Sequence, residues 1–343
     1  MTDLQAEMKR VKAQVDDLIL EQLLPKWSNV REVNLLYAMM RDYPMRQAKG
    51  MRPFLCVTTC KAAGGAEDDA VLTASCIELF QNWILIHDDI EDGSELRRGE
   101  PALHRKYDQA LALNAGDALH AKTWEAILMN KQRLGLERTF AVMEEFSHMV
   151  NETTEGQHME LGWVVEKRWD LSEKDYYEMC TRKTSWYTVA SPCRLGAIVA
   201  GERGHILDLL REFGISLGIA FQIQDDSLNL VGDEKKYGKA KSDDILEGKR
   251  TLILLHLLAV ANQNERDKVI SIMNKKRQAK TTRDVSYVLS LINEYDAIGF
   301  ARKKATELLK EALATLNGIR WKGDREAAEM LRSFSRFAVE REW

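Results

Sequence analysis

Residues 79–92 read LFQNWILIHDDIED. An apolar stretch from Leu79 to Ile86 runs into Asp88, Asp89, Glu91 and Asp92, and Arg97 and Arg98 follow closely. On a helix, Asp88 and Asp92 are i and i+4 and project from one face. Like charges at that spacing repel by roughly 0.2–0.5 kcal/mol, and acids are disfavoured at a helix C-terminus. A cluster placed there is readily explained by a cation that occupies it. Hard carboxylate oxygens suit Mg²⁺, which keeps open positions for water and phosphate. The two arginines add fork-shaped donors for phosphate, so the stretch reads as a helix end that handles a polyphosphate.

The same design recurs at residues 221–229, FQIQDDSLN, where an apolar helix again runs into an Asp pair. Gln222, Asp225, Asp226 and Asn229 share one helical face. The segment YGKAKSDDILEGKRT then supplies Lys239, Asp243, Asp244 and Lys249. Two such clusters on separate helices are expected to face each other and hold Mg²⁺ ions, with lysines neutralising a diphosphate.

The rest of the chain fits a helical scaffold. Apolar residues recur at three and four, as at Val11, Val15, Leu18 and Ile19, and at Ile206, Leu209, Leu210, Phe213 and Leu217. No segment alternates over strand length, and only five prolines occur. The pattern predicts an all-α fold of a dozen or so helices, with breaks near residues 64–65, 93–101, 162–172, 201–204, 232–241 and 262–264. Ser172 and Asp175 form a capping-box start. No linker or composition shift appears, so one domain over residues 1–343 is expected.

Composition narrows the function. The 343 residues carry 49 Lys and Arg against 53 Asp and Glu, a balance with no footprint for nucleic acid. Five cysteines without a CxxC read as reduced thiols. The opening MTDLQAEMKR is too polar for a secretory h-region, and the run from Leu252 to Ala261 is too short to span a bilayer, so a cytoplasmic protein without a transmembrane segment is expected.

The ordered motifs resemble the trans-isoprenyl diphosphate synthases, or polyprenyl synthetases, of the farnesyl and geranylgeranyl diphosphate synthase type. KGMRP at 49–53, HDDIED, LRRGEPALH, AGDALHA at 115–121, EGQHMEL at 155–161, RKTSWY at 182–187, FQIQDDSLNLVGD and DDILEGKRT carry the likeness along nearly the whole chain. The resemblance implies a helical bundle of the isoprenoid synthase type around a central cavity, a homodimer that takes no nucleic acid as a partner, and an enzyme that joins isopentenyl diphosphate to an allylic diphosphate. It implies about three Mg²⁺ ions, with Asp88 and Asp92 ligating two and Asp225 a third, Asp244 acting through metal-bound water, and Asp89 and Asp226 in support. It assigns Arg97, Lys183, Thr184, Gln222, Lys239 and Lys249 to the allylic diphosphate, and Lys49, Arg52, Gln81 and Arg98 to isopentenyl diphosphate. Should Pro53 open a helix, its amides would add to anion binding. Asn229 stands where many members have a third Asp, and residues 47–53 lack an arginine often found after the lysine.

Product length is read from the helix above Asp88. Positions 84 and 80 lie one and two turns up, about 5.4 Å per turn, close to one isoprene unit each. Ile84 leaves the first turn open, whereas Trp83 and Phe80 are bulky. In the family this pattern resembles the geranylgeranyl type, so a C20 product is expected. A C15 or C25 synthase, a non-catalytic partner subunit and a terpene cyclase are the competing readings. The retained aspartates and cations speak against the last two.

Overall fold

A computed structural model describes residues 3–231 and 242–341, so Lys239 and the expected break at 232–241 lie outside the described residues. The helices in chain order begin with α1 (Leu4–Leu18), α2 (Arg31–Met45), α3 (Met51–Ala62) and α4 (Glu67–Glu91). A two-strand hairpin, Leu96–Arg97 against Glu100–Pro101, separates α4 from α5 (Leu103–Lys106), α6 (Gln109–Met129) and α7 (Lys131–Val165). Then come α8 (Glu173–Cys180), a π-helical segment Thr181–Ala190, α9 (Ser191–Val199) and α10 (His205–Val231). The last are α11 (Asp243–Glu247), α12 (Leu252–Val260), α13 (Gln263–Met273), α14 (Thr282–Glu294), α15 (Ala297–Gly318) and α16 (Arg325–Glu340). The all-α expectation holds. The small hairpin is the one strand pairing among the described residues, too short for an alternation signal. Ser172 and Asp175 form the expected capping box of α8.

The chain forms two compact units, one of residues 1–148, 191–211 and 318–334, the other of residues 149–190, 212–317 and 335–343. In the first, α4 lies among α1, α3, α6 and α9. Its apolar side chains Ile77, Leu79, Phe80 and Ile86 are buried. By length and composition α4 would suit a membrane, yet 67% of its apolar window is buried against other helices of the protein. Burial of roughly 25 cal/mol per Å² of apolar surface accounts for this core position. All five cysteines are free and buried, as expected of structural thiols.

In the second unit the π segment is held by backbone contact. A Cβ at Gly156 of α7 would meet Lys183 N at 2.1 Å, and one at Gly218 of α10 would meet Ser185 Cα at 2.4 Å. Only glycine lets the two helices come this close to the segment that carries Lys183 and Thr184. π segments are rare and often sit at functional sites.

Candidate active site

The first acid cluster forms where α4 ends. Asp92 caps the helix, its N–H donating to the Asp88 carbonyl at 2.9 Å. Asp88 is partly exposed, and Asp89 is fully buried. Asp89 accepts a hydrogen bond from the Tyr43 hydroxyl at 2.5 Å and from Arg97 Nε at 2.9 Å, and Arg97 Nη2 also pairs with it. The same Nη2 donates to Asp88 at 3.2 Å. Burial alone would lower the Arg97 pKa, but Asp89 and Asp88 outweigh it and hold the guanidinium firmly charged. Arg46 fixes the Arg97 backbone by donating to its carbonyl at 2.8 Å. In this geometry Arg97 braces the acids, while the sequence reading sends it to the allylic diphosphate.

The isopentenyl set also lies in this unit. Arg52 is buried in the first turn of α3, whereas Lys49 is exposed just before it. The helix begins at Met51, capped by Gly50, so Pro53 sits at its third position and does not open it. The correction follows from Gly50, whose left-handed φ of 63° starts the helix two residues earlier. Arg98, also left-handed at φ 53°, donates to the Tyr43 carbonyl at 3.0 Å. Burial first, then Arg97, Arg52 and Arg46, pull the Arg98 pKa down, and Glu78 opposes them. Glu78 lies three residues before Gln81 on α4 and is buried; burial raises its pKa against the charges of Arg98, Lys12 and Arg52. Sequence reasoning missed Glu78 and Lys12. The i,i+3 spacing to Gln81 was a local signal for the first, and nothing local marks the second.

The second cluster is built on α10. Asp226 is buried and accepts from the Tyr176 hydroxyl at 2.7 Å and from Gln222 Nε2 at 2.7 Å. Burial pushes its carboxyl up to about 7, with the two hydrogen bonds opposing. Gln222 in turn accepts from Thr184 at 2.8 Å, which ties the π segment to α10. Lys183 pairs with Glu160 of α7. Asp225 is the more open acid and pairs with Arg341 at 3.0 Å; Arg341 also covers the Phe221 ring at 4.2 Å. Lys249 lies 2.7 Å from Glu247 and 3.9 Å from Asp244. Asn229 is buried, and its side-chain oxygen accepts from the Asp244 amide at 3.2 Å. That oxygen therefore positions α11. Tyr43, Tyr176, Glu160 and Arg341 are functional neighbours that sequence reasoning did not name, because each reaches its partner across long chain separations.

His87 takes a packing role: its Nε2 lies 3.3 Å from the Leu113 carbonyl and 3.6 Å from Asp117. Phe80 is buried, Trp83 is 8% exposed, and Ile84 and Gln81 are half-buried. Among the described residues no three Asp, Glu, His or Cys side chains gather into a chelate. Each cluster thus presents a carboxylate or two on hard oxygens, a donor set that fits Mg²⁺ completed by water and phosphate.

The polyprenyl synthetase family pattern matches residues 33–292. A short chain isoprenyl diphosphate synthase of Methanothermobacter thermautotrophicus is 34% identical over 286 residues, covering 83% of this chain and 85% of its own. The solved geranylgeranyl pyrophosphate synthetase of Pyrococcus horikoshii has a TM-score of 0.86 at 33% identity, covering 99% of this chain and 98% of its own. The geranylgeranyl pyrophosphate synthase of Corynebacterium glutamicum, solved with isoprenyl diphosphate and magnesium, has a TM-score of 0.89 at 25% identity and covers 99% of both. With so much of the chain matched, and with both Asp-Asp helix ends intact beside arginine and lysine, this protein belongs to the polyprenyl synthetase family and is a trans-prenyltransferase.

Proposed function

We propose that the protein condenses isopentenyl diphosphate with an allylic diphosphate in a Mg²⁺-dependent reaction and releases the C20 product, geranylgeranyl diphosphate. The observation that carries the length assignment is the buried indole of Trp83, packed edge-on to Phe80 at 5.3 Å, one residue before the half-buried Ile84. Bulk begins there on α4, five residues before Asp88, and Phe80 follows one turn above Ile84, so the tail is stopped at that level.

Asp88, Asp92 and Asp225 would hold the metal, with Asp244 acting through bound water, and about three ions would offset the charge on the leaving diphosphate. The allylic C–O bond breaks with its electron pair leaving on the diphosphate. The isopentenyl double bond forms the new C–C bond, and a proton departs from the neighbouring carbon to the released diphosphate. Lys183, Thr184, Gln222, Lys239 and Lys249 bind the allylic diphosphate in this reading, and Arg97 contributes by holding Asp88 and Asp89 in place. Lys49, Arg52, Gln81 and Arg98 bind isopentenyl diphosphate. Fixed cations aimed at the charge that develops on the leaving group favour the transition state over the ground state.

A single isoprenoid-synthase domain over residues 1–343 is supported by a structural likeness that extends over 99% of the chain. A homodimer is supported by the exposed Leu111, Leu113, Leu128 and Met129 of α6 with Leu136 and Phe140 of α7, an apolar set of the kind that partner copies cover. A cytoplasmic setting is supported by the buried free thiols. The test is incubation of purified protein with Mg²⁺, isopentenyl diphosphate and C5, C10 or C15 allylic primers, followed by chromatography of the products. C20 is expected as the main product; C15 or C25 as the main product overturns the length assignment.

A further inference from the structure

Trp83 does not stand alone. Its ring stacks on the imidazole of His120, with centroids 4.1 Å apart and planes 15° from parallel. His120 is held from behind: Trp124 Nε1 donates to His120 Nε2 at 2.7 Å. That bond uses the Nε2 lone pair, so the neutral ring carries its proton on Nδ1. The Trp83 Nε1–H is itself buried with no hydrogen-bond partner among the described residues. The indole therefore gains no orientation from a polar anchor, and ring contacts alone must set its pose.

The register that brings these rings together is visible on the helices. Thr73 bonds Asn130 at 3.0 Å, Trp83 stacks on His120, and His87 packs at Gly116, so α4 and α6 run antiparallel with matched steps. A Cβ at Gly116 would meet His87 Nε2 at 2.4 Å. Glycine there lets α6 approach α4, and one turn further along α6 the approach delivers His120 onto Trp83. Phe80 packs edge-on against the same indole, with centroids 5.3 Å apart.

We propose that His120, backed by Trp124, is a specificity-positioning residue that fixes product length by clamping the Trp83 ring as a rigid stop. The inference rests on the reading that Trp83 ends the tail's path. A flexible indole would swing aside for one more isoprene unit, whereas a clamped one would not.

Product chain length under Mg²⁺ and isopentenyl diphosphate, measured for His120→Ala, His120→Phe and Trp83→Ala beside the parent, tests it. His120→Ala is expected to turn products beyond C20 from minor to major. His120→Phe restores a stacking ring without the imidazole and is expected to return C20 as the main product, a rescue that a general loss of stability would not produce. If Trp83→Ala lengthens products while His120→Ala leaves the distribution unchanged, the clamp is refuted and the stop at Trp83 stands. If Trp83→Ala leaves C20 in place, the stop itself falls and the clamp with it. Should His120→Ala fail to fold, Trp124→Phe keeps every ring and deletes only the donor to His120; a rise in products beyond C20 is expected, and no rise refutes the clamp.

Discussion

Asp89 and Asp226 occupy matching places in two acid clusters. Each is the second member of an Asp pair near the C-terminal end of a long helix, each is buried, and each accepts a hydroxyl hydrogen bond from a distant tyrosine, Tyr43 or Tyr176. Each also leaves the first member of its pair, Asp88 or Asp225, more open. The clusters differ in what completes the cage. Asp89 has the guanidinium of Arg97, whereas Asp226, among the described residues, has the neutral amide of Gln222. A buried carboxylate with a cation is neutralised in place, while one with neutral donors keeps its desolvation cost and holds its proton to about pH 7. The first cluster is thus braced by charge and the second by hydrogen bonding, a difference that mutation and pH can expose.

The largest effect should come from the open acids. Asp88→Ala and Asp225→Ala should each lower kcat at saturating Mg²⁺ about a thousandfold, since a lost metal contact removes several kcal/mol of transition-state stabilisation at about 1.4 kcal/mol per tenfold. Near-normal turnover in one variant alone would show that the clusters are not equivalent.

Next comes stability. Arg97→Met strands a buried carboxylate and should cost about 3–5 kcal/mol in urea unfolding. Gln222→Met removes one neutral donor and should cost about 1–3 kcal/mol. Equal losses would mean that the guanidinium braces no more strongly than the amide.

A smaller effect is expected at Arg341, which pairs with the same Asp225 carboxylate that is assigned to metal. Arg341→Gln should tighten Mn²⁺ binding, followed by electron paramagnetic resonance, by up to about fivefold, because a partly exposed pair contributes ~0.2–1 kcal/mol. Weaker binding would mean that Arg341 assists the metal and does not compete with it.

The smallest effect is a pH dependence of melting in the presence of a chelator. Folded Asp226 keeps its proton to about pH 7, whereas the unfolded group releases it near 3.8. Between those values the native state binds more protons, so stability falls as pH rises from 4 to 7. Asp226→Asn should flatten that fall in melting temperature. An unchanged slope would place the proton elsewhere.

Much of this was legible from the chain alone. Helical periodicity, the Ser172–Asp175 cap and the two Asp pairs at the ends of apolar helices are signals of neighbouring residues, and spacings of three, four and seven suffice to put them on one face. Whether Pro53 opens α3 was open from sequence; the left-handed Gly50 starts the helix two residues earlier, and Pro53 falls at its third position. The Asn229 oxygen accepts from the Asp244 amide fifteen residues on, a partner that helical spacing does not mark.

What the sequence by itself determined is the chemistry on offer: hard oxygens and nearby cationic side chains at fixed helical spacing, with aromatic bulk above the first acid pair. What only the tertiary structure decided is which acid is buried, what neutralises it, and which ring holds Trp83. Those outcomes depend on partners 46, 50 and more residues away, Tyr43 with Asp89 and Tyr176 with Asp226 among them. Helical spacing reaches only a turn or two along the chain, whereas burial and hydrogen-bond completion are properties of helices brought together.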